Sequence, residues 1–190
     1  MSHIVGLDLS LTASGLACAC GQVKLIGRDG VTKLPLTERV EVVRLLAEAI
    51  TDWTDDHTPG ERSALRFPAM VVVEQPAFSK SGGGAVERHA LWWSVVATLI
   101  GYGHSVAVAP PTTLKLYALG KGSGKGTQGK GPMVDALARR LPMFETGGDD
   151  NIVDAAWLAA MGADHLGVPL VEMPAANRAA LVKVAWPEVS

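Results

Sequence analysis

Carboxylates stand at the ends of two apolar segments of the chain. Asp8 closes a short apolar segment at residues 4–8, and Glu74 directly follows the β-branched run at 70–73. An ionised carboxylate at such a position is costly unless it is hydrogen-bonded, paired or bound to a cation. Asp8 alone is better explained by hydrogen bonds to the following turn at Thr12 or Ser14 than by metal binding. A second acid in the same setting makes a shared site the stronger interpretation.

A third group of acids opens the apolar segment that follows residue 149. Asp150 and Asp154 are separated by four residues and therefore share one face of a predicted helix, where like charges repel without a cation. Asp149 is predicted to cap that helix through its side-chain oxygen. Oxygen ligands that converge from two strands and a helix are typical of Mg²⁺ or Mn²⁺ sites.

The elements that must position these acids follow from the apolar periodicity. Strands are predicted first, and later strands alternate with helices, which favours an α/β fold flanked by helices. The predicted sheet is mixed and has five strands: the first three strands are antiparallel, and the later strands are parallel. The five predicted strands are 4–8, 16–20, 23–26, 69–73 and 105–109. The third strand is predicted to have a further extended part at 31–34. The predicted helices run from a cap at Thr37 to Trp53, and over 85–100, 112–119, 132–140, 150–164 and 175–184.

Composition sets the class of protein. With 190 residues, 48% hydrophobic and 19% charged, the chain is predicted to be one domain, 1–190, with 169–190 as a C-terminal extension. Cys18 and Cys20 suggest no disulfide framework. No secretory signal is visible, and the longest apolar stretch is interrupted by polar residues and glycines, so we expect a cytoplasmic protein without a membrane span.

Positive charge is concentrated in one part of the chain. Residues 115–140 contain six basic residues and one acidic residue, whereas the whole chain has a net charge of −2. This asymmetry is consistent with a phosphate-binding patch, and equally with a solvated loop. The candidate phosphate-binding residues in the segment are Lys115, Lys121, Lys125 and Lys130.

The ordered set of motifs resembles RuvC-type Holliday junction resolvases, and in particular bacteriophage-type members. It consists of Gly6-Leu7-Asp8-Leu9-Ser10-Leu11-Thr12 with Gly15, then Val73-Glu74-Gln75, then Asp150 with Asp154-Ala155-Ala156, and it spans residue 1 to about 162. The resemblance implies an RNase H-like fold, a homodimer, and paired cuts in four-way DNA junctions through two Mg²⁺ or Mn²⁺ ions.

The resemblance also assigns roles to residues. Asp8 and Glu74 match the first two catalytic and metal-binding acids, and Asp154 matches the last. The usual spacing of the remaining acid falls on Asn151, so Asp150 is the choice for the fourth acid and Asp149 the reserve.

The DNA contacts implied by the resemblance lie in two loops. The glycine- and lysine-containing segment would face DNA, with Lys130 as its strongest match. In the loop after Glu74, Phe78 would stack on a base or wedge the junction open, and Lys80 would add a phosphate contact. Trp92 and Trp93 are interpreted as helix packing or dimer contacts.

Three other functions stay open. One is a broader branched-DNA or RNA/DNA-hybrid nuclease of the RNase H-like superfamily, which would use the same acids. The second is one half of a sugar-kinase or actin-like ATPase, which the length of the chain disfavours. The third is a nonenzymatic junction-binding protein. The sequence also leaves open whether a branch-migration partner is used.

Overall fold

A five-stranded mixed sheet forms the centre of the molecule. The computed structural model describes residues 3–57, 70–76, 84–122 and 131–188. The strands are β1 (Ile4–Asp8), β2 (Ser14–Cys18), β3 (Val23–Ile26), β4 (Met70–Glu74) and β5 (Ser105–Ala109), in the spatial order β3-β2-β1-β4-β5. The first three strands pair antiparallel, and β4 pairs parallel with both β1 and β5. The predicted mixed sheet is confirmed.

Six α-helices lie in the described ranges. They are α1 (Leu36–Asp56), α2 (Ala85–Gly101), α3 (Pro111–Leu119), α4 (Gly131–Arg140), α5 (Asp150–His165) and α6 (Ala175–Arg178). Two 3-10 turns, at Val31–Lys33 and Leu181–Lys183, complete the regular structure. None of the helices in these ranges combines the length and the apolar character that a membrane span requires.

The alternation of side chains along the strands divides the core into two layers. Val5 and Leu7 of β1 face a cluster formed with α1 and α2, whereas Ile4 faces the cluster that contains α3, α4 and α5. The same alternation separates Val71 from Val72 on β4. Both faces of the sheet are therefore covered, which explains why its central strands are continuously apolar.

Several element boundaries differ from the sequence predictions. The stretch 31–34 is not extended, because the chain turns at Gly30 with φ of 71° and then forms a 3-10 turn. Helix α1 begins one residue after Pro35, whose fixed φ suits the position before a first turn, and Thr37 lies inside the helix. Strand β2 begins and ends two residues earlier than predicted.

The C-terminal segment packs against α3 and α5. Instead of one helix over 175–184 it forms α6 and a 3-10 turn, and the Asn177 side chain donates a 2.6 Å hydrogen bond to the carbonyl oxygen of Tyr117. Arg178 lies 2.9 Å from the buried carboxylate of Asp164, which also accepts a hydrogen bond from the Tyr117 hydroxyl. These contacts hold the segment on the α5 side of the sheet.

Candidate metal centre

Three carboxylates converge at one edge of the sheet. Asp8 is the last residue of β1, Glu74 is the last residue of β4, and Asp154 lies in the second turn of α5. Because β1 and β4 are parallel neighbours, with Leu7 opposite Val73, their two acids emerge side by side. One oxygen of each residue lies within 4.8 Å of the oxygens of the other two, and all three residues are half-buried.

The crowding of like charges changes the acidity of Glu74. Burial raises the pKa of Glu74 to about 9, and the neighbouring carboxylates of Asp8 and Asp154 add to the increase, while the positive charge of Lys115 opposes it. A hydrogen bond with Asp8 also favours the protonated form. Without a cation, the group of three acids therefore favours the protonated form of Glu74.

The charge and donor chemistry of this group fit a divalent cation. Carboxylate oxygens are the ligands that Mg²⁺ and Mn²⁺ prefer, and three carboxylates whose oxygens lie within 4.8 Å of one another could hold such an ion. A cation would replace the proton on Glu74 and remove the repulsion among the three acids.

The two acids at the start of α5 have different environments. As predicted, Asp149 caps the helix: its side chain accepts hydrogen bonds from the backbone amides of Asn151 at 2.9 Å and Ile152 at 3.3 Å. Asp150 is the first residue of α5, one turn before Asp154, and it is not a member of the group of three acids.

The turn after β1 is closed by its own serines. The Ser14 hydroxyl donates to the carbonyl oxygen of Ser10 at 2.6 Å and accepts from the Ser10 amide at 3.0 Å. Thus Ser14, which was a candidate partner for Asp8, stabilises the turn by bonding to its backbone.

A small cleft opens beside two of the acids, and it brings in residues that the sequence did not predict. Its volume is about 140 Å³, and Arg88 and His89 of α2 line it together with Asp8 and Glu74. Because α2 begins beyond the connection that follows β4, no sequence spacing relates Arg88 or His89 to the acids.

Only some of the predicted DNA-binding residues lie within the described ranges. Lys115 lies on α3 and is close enough to Glu74 to influence its pKa, and Lys121 follows the end of the same helix. Lys80, Lys125 and Lys130 lie outside the described residues, as does the predicted wedge residue Phe78.

The fold has counterparts among solved structures. The structure of Thermus thermophilus RuvC matches with a TM-score of 0.61 and 16% sequence identity, over 90% of this chain and 99% of that one. The structure of T. thermophilus RuvC in complex with Holliday junction substrate matches with a TM-score of 0.57 and 16% identity, over 92% of this chain and 100% of that one.

These similarities concern structure and not sequence. No protein-family model matches the chain, and no curated protein matches it. At 16% identity the structural similarity establishes the fold. The chain has an RNase H-like α/β fold of the RuvC type, as the sequence predicted.

Proposed function

We propose that this protein is a metal-dependent DNA endonuclease that resolves four-way junctions by paired phosphodiester hydrolysis. The observation that carries the proposal is the convergence of Asp8, Glu74 and Asp154 at the edge of a RuvC-type sheet. One matching structure is described as RuvC in complex with Holliday junction substrate, which supports branched DNA as the substrate class.

In this proposal the three acids hold divalent metal, Mg²⁺ or Mn²⁺, and Asp150 contributes as a fourth acid from the same helix. Two ions in such a site would activate water for attack and stabilise the leaving 3′ oxygen. The chain's own part is to provide the carboxylates in a fixed arrangement, with Glu74 giving up its proton when the site fills.

DNA would reach this edge of the sheet along a basic surface. Lys115 lies on the side of the acids, and Lys121 follows it. We include Lys125, Lys130, Lys80 and Phe78 in the proposed contacts on the strength of the sequence resemblance. An otherwise acidic chain with one basic segment would bind DNA in a salt-dependent way.

We also propose a homodimer formed through α2, since paired cuts require two sites. Val86, Trp93 and Ile100 are 78%, 64% and 58% exposed, and they recur at intervals of seven residues. Exposed Ala90 and Ala97 lie between them on the helix surface. An apolar stripe whose large residues repeat every seven positions, with small residues between them, is suited to pairing with an identical helix around a twofold axis.

The biological setting follows the same resemblance. We propose a bacteriophage-type resolvase that acts in the cytoplasm of a bacterial host.

The test compares cutting with binding in single variants. Asp8→Asn, Glu74→Gln and Asp154→Asn should each abolish cleavage of an end-labelled four-way junction and leave the affinity for the junction largely unchanged. Lys115→Ala should instead bind the four-way junction more weakly, and its affinity should depend less steeply on salt concentration. Full cleavage by all three acid variants would overturn the proposal.

A further inference from the structure

An indole group holds the backbone of the proposed metal ligand Glu74. The Nε1–H of Trp92, in the middle of α2, donates a 2.9 Å hydrogen bond to the carbonyl oxygen of Glu74. Trp92 is 8% exposed, so solvent does not readily replace this donor.

The peptide group that follows Glu74 is thereby fixed at both of its polar atoms. Its carbonyl oxygen accepts from Trp92, and its N–H, which belongs to Gln75, donates to the carbonyl oxygen of Ala109 at 2.9 Å. Strand β4 ends at Glu74, where the regular ladder with β5 stops. The Trp92 bond thus holds the carbonyl oxygen of this peptide, while β5 holds its N–H.

The ring of Trp92 is itself held by packing. It belongs to the core cluster between the sheet and the helices α1 and α2, and it contacts Trp93 edge-to-face with ring centroids 4.9 Å apart. A fixed ring with a fixed donor restricts rotation of the Glu74–Gln75 peptide. The direction in which the Glu74 side chain leaves the strand depends on that rotation.

We propose that Trp92 is a positioning residue for Glu74, which sets the carboxylate against Asp8 and Asp154; this inference rests on the proposed function. Trp92 does not touch metal or DNA in this account. Its hydrogen bond restricts the conformations of Glu74 before a cation binds, so less conformational entropy is lost on binding.

Direct metal binding tests the inference without reference to cleavage. Mn²⁺ binding to the full chain is measured by electron paramagnetic resonance or calorimetry for the wild type and Trp92→Phe. Trp186→Phe is the matched control, because its indole donates a similar 2.8 Å bond to a backbone carbonyl, that of Leu181, in the C-terminal segment. Thermal unfolding of each variant reports the general cost of losing such a bond.

We expect Trp92→Phe to bind Mn²⁺ about three- to tenfold more weakly, the effect of one hydrogen bond. Trp186→Phe should bind Mn²⁺ like the wild type. Unchanged affinity in Trp92→Phe, or an equal loss in both variants, would overturn the inference and leave the proposed function intact. No Mn²⁺ binding by the wild type would overturn both.

A second substitution keeps the test decisive if Trp92→Phe unfolds. β-(3-Benzothienyl)alanine at position 92 keeps the shape of the indole and has sulfur where the indole has N–H. The same loss of Mn²⁺ affinity in this folded protein would support the positioning role, and wild-type affinity would contradict it.

Discussion

Gly6 of β1 lies so close to α5 that a Cβ atom at this position would be 1.9 Å from the carbonyl oxygen of Ala155. Gly15 of β2 has the same relationship with the carbonyl oxygen of Asn151, also at 1.9 Å. These two glycines allow the backbone of α5 to lie directly on the sheet. The close approach brings Asp154, one residue before Ala155, into the group with Asp8 at the end of β1.

Gly6→Ala should therefore destabilise the protein, because the new methyl group meets backbone that cannot move aside without shifting α5. We expect the free energy of unfolding to fall by about 1–3 kcal/mol or more, measured by urea denaturation. Gly101→Ala is the control, since a Cβ atom there has no heavy atom within 4 Å. Equal stability of the two variants would show that α5 does not depend on this contact.

Asp149→Ala separates capping from metal binding at the start of α5. Losing the hydrogen bonds to the amides of Asn151 and Ile152 should lower the free energy of unfolding by about 1 kcal/mol, and Asp149→Ser should restore most of it. Mn²⁺ affinity should remain close to that of the wild type in both variants. A loss of affinity as large as that in Asp154→Asn would instead identify Asp149 as a ligand.

The raised pKa of Glu74 predicts how stability changes with pH in the metal-free protein. The carboxyl has a pKa near 4.5 when unfolded and about 9 when folded, so the folded state binds the additional proton between these values. Stability must then fall as the pH rises through this range. In urea denaturation with EDTA, Glu74→Gln should show a weaker fall than the wild type. Identical pH dependence would contradict the protonated state of Glu74.

Trp93 provides the test of the proposed dimer. Because its side chain is 64% exposed in the middle of the apolar stripe on α2, Trp93→Glu should convert a dimer into a monomer in sedimentation velocity experiments. Val182→Glu is the control, since Val182 is 87% exposed in the C-terminal segment. A wild-type protein that is monomeric at high concentration would refute the dimer directly.

Local pattern was sufficient to predict most of the fold. The apolar runs that end at Asp8 and Glu74 predicted two strands, which the structure shows to be parallel neighbours, and the spacing of the acids predicted that Asp154 lies on a helix. The sequence could not distinguish the roles of Trp92 and Trp93. Successive helix residues point about 100° apart, and only the packing shows that one indole is buried against Glu74 while the other is exposed.

Contacts between segments that are far apart in the chain also could not be predicted from the sequence. Arg88 and His89 line the cleft because the start of α2 lies beside it. No periodicity in the sequence predicts where the start of that helix lies relative to the acids. The fit of α5 onto Gly6 and Gly15 likewise depends on the assembled sheet.

The most direct test of the central claim maps the cuts made in end-labelled four-way, Y-shaped and linear DNA by the wild type and Asp154→Asn, with Mg²⁺, Mn²⁺ or EDTA. We predict paired, metal-dependent cuts in the four-way junction by the wild type and none by Asp154→Asn. Cuts in forks as well would broaden the activity to branched DNA. Junction binding without any cut under these conditions would contradict the account.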